Sequence, residues 1–363
     1  MKKIFFTGGH HTSALPLAKD LKKKGFQVIW LGHKFTMKAV ENPSLEWQQI
    51  TKSGIKLIEL KAGKIHRGGI QGKLLFIRGF IQSLGLILRF RPALIVSFGG
   101  YLAVPAVLAG TILRVPSIAH EQTVGAGLAN RFLKHLVKRI FVSWPESLPF
   151  FPKEKTVLVG LPLRKEVIKP SKMKFFFEKK KIVLITGGKQ GSHLINMTIK
   201  KILPQLLEKY NLIHQIGETT TTKDLENLTR YKSRLPKRFQ KGYKLRAYLT
   251  DKQMGAALNQ TSCVVCRSGA HTVYELLALA KPAVLIPFPF SFADEQRQNA
   301  KKLTSVGLAE VIEQKELTAE KLMKAISGQI ELKKKEKINQ RAKKLISLTA
   351  RKEMLDYLLK FLS

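Results

Sequence analysis

One local pattern, written twice, constrains this chain more than any other feature: a short apolar strand, a Thr-Gly-Gly turn and an amphipathic helix. It first occurs as Ile4 to Thr7, Gly8-Gly9 and Ser13 to Lys24, with Gly25 as the helix stop and a second strand at Phe26 to Leu31. It recurs as Lys181 to Thr186, Gly187-Gly188 and a helix from about Ser192. Further strands are expected at Leu57 to Leu60, Leu94 to Ser97, Ser117 to Ala119 and Arg139 to Val142, then at Leu212 to Gln215, Ser262 to Cys266 and Ala283 to Pro287. Strands alternating with helices give parallel sheets covered on both faces. The expected class is therefore α/β, with two Rossmann-like, doubly wound domains facing a cleft. The 363 residues suffice for two domains. The join is expected near Gly160-Leu161-Pro162, before the loose basic stretch Lys169 to Lys181, giving domains of 1–162 and 163–340. The closing segment, Lys333 to Ser363, reads as helix, and its part from about 341 to 363 is expected, on fold analogy alone, to pack back on the first domain.

In such sheets ligands bind beyond the carboxyl ends of the strands, where backbone N–H groups and helix N-termini face anions. Both Gly-Gly turns sit there. A dinucleotide site requires G-x-G-x-x-G and an acidic residue closing the second strand. Here the first turn reads Thr7-Gly8-Gly9-His10-His11, and the second strand ends in Trp30-Leu31-Gly32-His33-Lys34, with no acid. The second turn, Gly187-Gly188-Lys189-Gln190-Gly191-Ser192, lacks the Walker spacing. NAD and ATP-motor chemistry are disfavoured, and matched turns in two halves point to a ligand held between domains.

The stretch Cys266-Arg267-Ser268-Gly269-Ala270-His271-Thr272-Val273-Tyr274-Glu275 leaves a buried strand and opens a helix. Its small residues let a pyrophosphate approach free N–H groups. Glu275, a turn further in, can accept from both hydroxyls of a ribose. A nucleoside-diphosphate clamp fits, against the alternative of an ordinary Gly turn with a solvated Glu. Cys263 and Cys266 are the only cysteines, which excludes a disulfide scaffold. In a Val-rich strand they read as buried structural thiols. No carboxylate cluster suggests a metal, and no cofactor is expected.

Lys and Arg number 64 against 25 Asp and Glu, a formal charge of +39. The basic residues are spread over many segments (Lys22 to Lys24, Lys179 to Lys181, Lys333 to Lys335) and no nucleic-acid motif occurs, so a solvated basic surface or an anionic membrane or substrate is favoured over nucleic acid. The N-terminus lacks a secretory h-region. The longest apolar stretch, Leu74 to Leu88, is broken by Arg78 and Gln82 and is too short to span a bilayer. Leu74, Ile77, Ile81, Leu84 and Leu88 recur at helical spacing, as in a buried core helix. Yet Leu75, Phe76, Phe80 and Leu86 widen the apolar arc, and Arg67, Lys73, Arg78, Arg89 and Arg91 surround it, as in a helix lying on an anionic leaflet.

Taken in order, these motifs resemble the MurG family of peptidoglycan glycosyltransferases, glycosyltransferase family 28, over Phe5 to about Glu313. The family's G-T-G-G-H is met by Thr7-Gly8-Gly9-His10, and G-F-G-G-Y by Ser97-Phe98-Gly99-Gly100-Tyr101. H-E-Q-N-x-x-A-G-L-x-N appears as His120 to Asn130, G-N-P-V-R as Gly160 to Arg164, and G-G-S-Q-G as Gly187 to Gly191. C-R-S-G-A-x-T-V-x-E is met in full, and D-x-Q-x-x-N-A by Asp294 to Ala300.

The resemblance implies the GT-B fold and inverting transfer of N-acetylglucosamine from UDP-N-acetylglucosamine to the muramoyl 4-hydroxyl of lipid I, a polyprenyl-pyrophosphate acceptor. Product is lipid II, made at the cytoplasmic face of the bacterial membrane by a peripheral enzyme. Donor contacts implied are Arg164, Lys189, Leu249 (uracil), Arg267, Ala270, His271, Thr272, Glu275 (ribose) and Gln296 (sugar), joined by Thr7, Gly8, Gly9 and Thr123. The N-terminal glycine turns would receive the lipid diphosphate, with Gly99, Gly100 and Tyr101 on the acceptor side, and Leu74 to Leu88 would match the membrane-facing surface. His10, at a helix N-terminus that disfavours imidazolium, suits a neutral base, and His11 reads as a bystander. His120 and Glu121 could alternatively position or polarise the acceptor. Leaving-group charge falls to the Ala270 helix N-terminus with Arg164, or to Arg267. Thr123, Leu161 and Lys189 stand where the family has Asn, Asn and Ser, and Ser13 where it has Pro. A diacylglycerol glycosyltransferase and a UDP-N-acetylglucosamine 2-epimerase are the competing functions.

Overall fold

The computed structural model describes residues 1–35, 43–63, 69–169, 172–217, 222–332 and 336–363. Arg67, Lys333 to Lys335 and residues 170–171 of the loose stretch lie outside them. The chain forms two units, Met1–Leu163 with Ser347–Ser363, and Arg164–Ile346.

The first unit is built on seven parallel strands: β1 (Lys3–Thr7), β2 (Gln27–Gly32), β3 (Lys56–Glu59), β4 (Leu94–Ser97), β5 (Ser117–Glu121), β6 (Arg139–Val142) and β7 (Thr156–Leu158). Their order is β3-β2-β1-β4-β5-β6-β7, so the winding direction reverses between β1 and β4. Alternation along each strand feeds two cores. Ile4, Phe6, Trp30 and Val96 face one side, where helix His11–Lys23 and the terminal helix Ala350–Leu362 supply Leu17, Leu21, Met354 and Leu358. Phe5, Ile29 and Ile95 face the other, under helix Ala103–Ile112. Arg351 clamps the terminal helix by donating twice to Asp20, both at 2.6 Å. The segment expected as one helix from about 341 is two, and the earlier one, Glu336–Lys344, lies in the second unit.

The second unit carries β8 (Ile182–Thr186), β9 (Asn211–Gln215), β10 (Tyr243–Arg246), β11 (Cys263–Cys266), β12 (Ala283–Leu285) and β13 (Ala309–Val311). They are all parallel, in the order β10-β9-β8-β11-β12-β13, with the reversal between β8 and β11. The doubly wound α/β expectation holds for both sheets. Sequence reading left out β7, β10 and β13, and each is an edge strand. An edge strand needs no continuous apolar run, and Lys244, Arg246 and Glu310 break the pattern. Cys263 and Cys266 are buried free thiols, and burial pushes Cys263 up to about 12.

Helix Gly69–Phe90 corrects the core-helix alternative. It buries Gly72, Gly79, Ser83 and Ile87, while Leu74, Ile77, Ile81 and Leu88 are 52–62% exposed. The small residues allow close docking: a Cβ on Gly79 would come within 2.5 Å of Ala62 Cβ. The large apolar side chains are therefore free to face outward. Among the described residues no helix is long and apolar enough to cross a membrane.

Candidate functional site

The topological reversals bring particular turns together at the carboxyl ends of each sheet. In the first unit the turns after β1 and β4 lock backbone to backbone. Gly9 N donates to Gly99 O at 3.2 Å. Gly8 has φ +133°, and a Cβ there would lie 2.7 Å from Gly99 O. Gly100 has φ +77°, with its Cβ direction 3.0 Å from Gly9 N. Tyr101 reaches sideways to hydrogen-bond His33 Nε2. Thr7 Oγ1, at the end of β1, is buried with no hydrogen-bond partner among the described residues.

His10 is the N-cap of helix His11–Lys23. His11 is buried, its Nε2 3.0 Å from Gln49 Oε1. Ser13 uses its hydroxyl on Gln122 Oε1 at 3.1 Å, a contact proline could not make. His120 lies 1% exposed at the end of β5, with Nε2 donating to Gly160 O at 3.0 Å. That bond fixes the tautomer, so the unpartnered Nδ1 carries the lone pair. Desolvation holds the imidazole neutral, down at about 4, against weaker opposing pulls from Gly160 and Glu121.

Glu121 accepts from Thr123 N (2.9 Å), Thr123 Oγ1 (2.6 Å), Gly127 N (2.9 Å) and Asn130 Nδ2 (2.9 Å). Both oxygens are spent on bracing the 121–130 loop, a positioning task for a residue expected near the acceptor. Thr123 is absorbed into the same brace, its Oγ1 also 2.8 Å from Gly125 O.

In the second unit the turns after β8, β9, β10 and β11 converge. Gln215, closing β9, donates to Thr186 Oγ1 at 3.0 Å and Gly188 O at 2.9 Å, and accepts from Leu249 N at 3.0 Å. Leu249 is fully buried. Lys189 is half-buried on the same turn as Gly188. Arg267 donates from Nη1 to Ile286 O (3.0 Å) and Pro287 O (3.2 Å), and from Nη2 to Ser192 Oγ (2.9 Å). It thus ties the β8 turn to the end of β12. Gln296 Oε1 accepts from Phe288 N at 2.9 Å.

Helix Ala270–Ala278 opens after Gly269, which makes no side-chain cap. Its first N–H groups, on Ala270, His271 and Thr272, have no intrahelical acceptor and suit an anion. Glu275, 2% exposed, takes a two-pronged bond from Arg164: Nε to Oε1 at 2.8 Å and Nη2 to Oε2 at 2.6 Å. His271 Nδ1 lies 3.3 Å from Oε1. Arg164 Nη1 also reaches Asp251 Oδ1 at 3.4 Å. Burial alone would raise the Glu275 carboxyl, but the charges of Arg164 and then His271 hold it well below the usual carboxylate range. Arg164 is held charged by the same partners despite its burial. Sequence reasoning missed Asp251 and Gln215. The first sits in a legible capping box, Thr250 with Gln253, and the second is a polar residue closing an apolar strand.

Below this edge His214 is fully buried, its Nε2 3.1 Å from Asn196 Oδ1 and Nδ1 2.8 Å from Tyr243 Oη. Desolvation lowers it to about 3. His120 and His214 therefore fold neutral, whereas the unfolded chain protonates near 6.5. Stability from each is complete above that value and falls as pH drops toward the folded pKa. Each should cost its unit roughly 2 kcal/mol between about pH 7.5 and about pH 5. Denaturant unfolding at the two pH values checks this, and His214→Gln should flatten the second unit's dependence.

The family models for the glycosyltransferase family 28 N-terminal and C-terminal domains match residues 7–142 and 182–356. A Clostridium botulinum relative, a UDP-N-acetylglucosamine–N-acetylmuramyl-(pentapeptide) pyrophosphoryl-undecaprenol N-acetylglucosamine transferase, is 32% identical over 341 residues, 90% of either chain. A Bacillus cereus transferase of the same name, numbered 2, is 31% identical over 340 residues, 90% of this chain and 91% of its own. Among solved structures, Acinetobacter baumannii MurG superposes with TM-score 0.71 at 23% identity, covering 99% of this chain and 100% of that one. A Neisseria meningitidis UDP-GlcNAc 2-epimerase reaches 0.65 at 14% identity, covering 99% and 100%. Both structures share the GT-B-like fold. Two domain models in order and a relative this similar over nine-tenths of its length place the chain, as an enzyme, in glycosyltransferase family 28.

Proposed function

We propose that this enzyme transfers N-acetylglucosamine from UDP-N-acetylglucosamine to the muramoyl 4-hydroxyl of lipid I, with inversion, to form lipid II. The observation that carries this reading is the 32% identity, over 90% of the chain, to a relative named for that reaction. The second unit holds the donor: Glu275 faces the ribose, the open N-terminus of helix Ala270–Ala278 meets the diphosphate, and Lys189 and Gln296 complete the set. The glycine turns at Gly8-Gly9 and Gly99-Gly100 receive the acceptor's diphosphate. The acceptor oxygen forms the new bond to the anomeric carbon as the bond to UDP breaks, and His10 takes the hydroxyl proton. UDP leaves with the electron pair, its charge met by fixed N–H dipoles and Lys189. Purified protein given radiolabelled donor should label lipid I. Label on diacylglycerol alone, or UDP-N-acetylmannosamine formed without acceptor, would overturn the reading.

Membrane attachment belongs to the same proposal. Ile70, Leu74, Ile77, Ile81 and Leu88, with Ile112 nearby in sequence order on the next helix, are exposed among exposed Lys73, Arg78, Arg89 and Arg114. This is the combination that binds an anionic leaflet at its surface. Binding to phosphatidylglycerol vesicles should weaken at least about tenfold in the Ile77→Ser, Ile81→Ser double variant. Its unfolding midpoint should not move, because neither side chain is in the core. Equal sedimentation of both proteins with the vesicles would contradict attachment through this face.

A further inference from the structure

We infer that His271 is a ribose-reading residue, which shares with Glu275 the recognition of the two hydroxyls of a bound nucleoside diphosphate. The inference rests on the donor reading above and deepens it. A carboxylate offers about four lone-pair positions. On Glu275, Arg164 Nε and His271 Nδ1 occupy Oε1, and Arg164 Nη2 occupies one side of Oε2. One position is left, too few for two ribose hydroxyls.

His271 supplies the second. Its Nδ1 faces an oxygen that can only accept, so a proton on Nδ1 points at Glu275 and Nε2 is left to pair elsewhere. Nε2 is buried with no hydrogen-bond partner among the described residues. Leaving such an atom unpaired is unfavourable, and a ribose hydroxyl at this point removes the deficit. Position matters too. His271 and Glu275 are four residues apart on one helix face, with side chains leaning toward the N-terminus. The imidazole therefore stands beside the carboxylate, on a residue of the turn that carries the open N–H groups. The motif leaves position 271 unrestricted.

The test is calorimetric titration of the full-length protein with UDP, 2′-deoxy-UDP and 3′-deoxy-UDP. His271→Asn keeps a donor where Nδ1 stands and deletes Nε2, and His271→Gln restores a hydrogen-bonding group near Nε2. Wild type should bind each deoxy nucleotide roughly tenfold more weakly than UDP. In His271→Asn one of the two penalties should vanish and the other persist. His271→Gln should recover most of the lost one. Unfolding midpoints of both variants show that the fold is intact. Two unchanged penalties in His271→Asn would overturn the assignment while leaving the donor reading in place. A wild type that binds no uridine nucleotide would remove both.

Discussion

Glu275→Ala is expected to cost the second unit about 3–5 kcal/mol and to lower kcat/KM by more than about a hundredfold. The alanine leaves the Arg164 guanidinium buried, with Asp251 at 3.4 Å as its remaining carboxylate among the contacts described. An uncompensated buried charge is what makes removal of one partner so costly, more than the pair itself is worth. Replacing both, as Arg164→Met with Glu275→Leu, should therefore restore much of the stability and none of the turnover. Denaturant unfolding and steady-state kinetics on the three variants check both halves. Acid has a related effect. Because Glu275 is depressed in the folded state, the pair's stabilisation is complete above the ordinary carboxylate pKa and is lost as pH falls through the lowered value.

Gly191→Ala should be nearly as damaging, for a steric reason. Gly191 has φ +82°, and a Cβ would stand 1.9 Å from Ile216 O, which is backbone and cannot swing aside. Gly217 interlocks from the other side, its own Cβ direction 2.2 Å from Gly191 Cα. The β8 and β9 turns would have to separate, at a cost of about 3 kcal/mol or more. Gly188 is the control, with φ +86° and nothing within 4 Å of a Cβ. Gly188→Ala should cost only about 1–2 kcal/mol of left-handed backbone strain. Its methyl group would still project from the turn proposed to meet the donor, so UDP affinity should fall. Unfolding midpoints and UDP titrations of both variants separate stability from binding. Equal destabilisation by the two substitutions would contradict the steric account.

Residues whose task is written in local pattern were legible in advance. The strands β1, β4, β6 and β8 are buried on both faces and so read as apolar runs, and Gly8 and Gly100 mark turns that need positive φ. The Cys266 to Glu275 stretch announced a helix start after a buried strand through its small residues. What pattern cannot carry is partner identity across long separations. Arg164 and Glu275 are 111 residues apart, and nothing in the spacing says that each takes the other's charge. Glu121 is expected on the acceptor side through the family motif that runs from His120 to Asn130, and no local pattern shows how its carboxylate is used. Its four bonds to nearby donors come from the way the following loop turns back. Helix Gly69–Phe90 left two readings open in sequence: its large apolar stripe has core spacing, but the glycines opposite allow a closer docking, so the stripe is left outside.

Hydrogen exchange on the full-length protein, with and without UDP, tests the central claim most directly. The amides of Ala270, His271 and Thr272 lack intrahelical acceptors and should exchange quickly in the free protein. If the diphosphate of a uridine nucleotide rests on them, saturating UDP should slow that segment strongly, together with the turn at Gly188 and Lys189. The first unit's glycine turns should change little. UDP that saturates the protein yet leaves residues 269–272 unprotected would contradict the account.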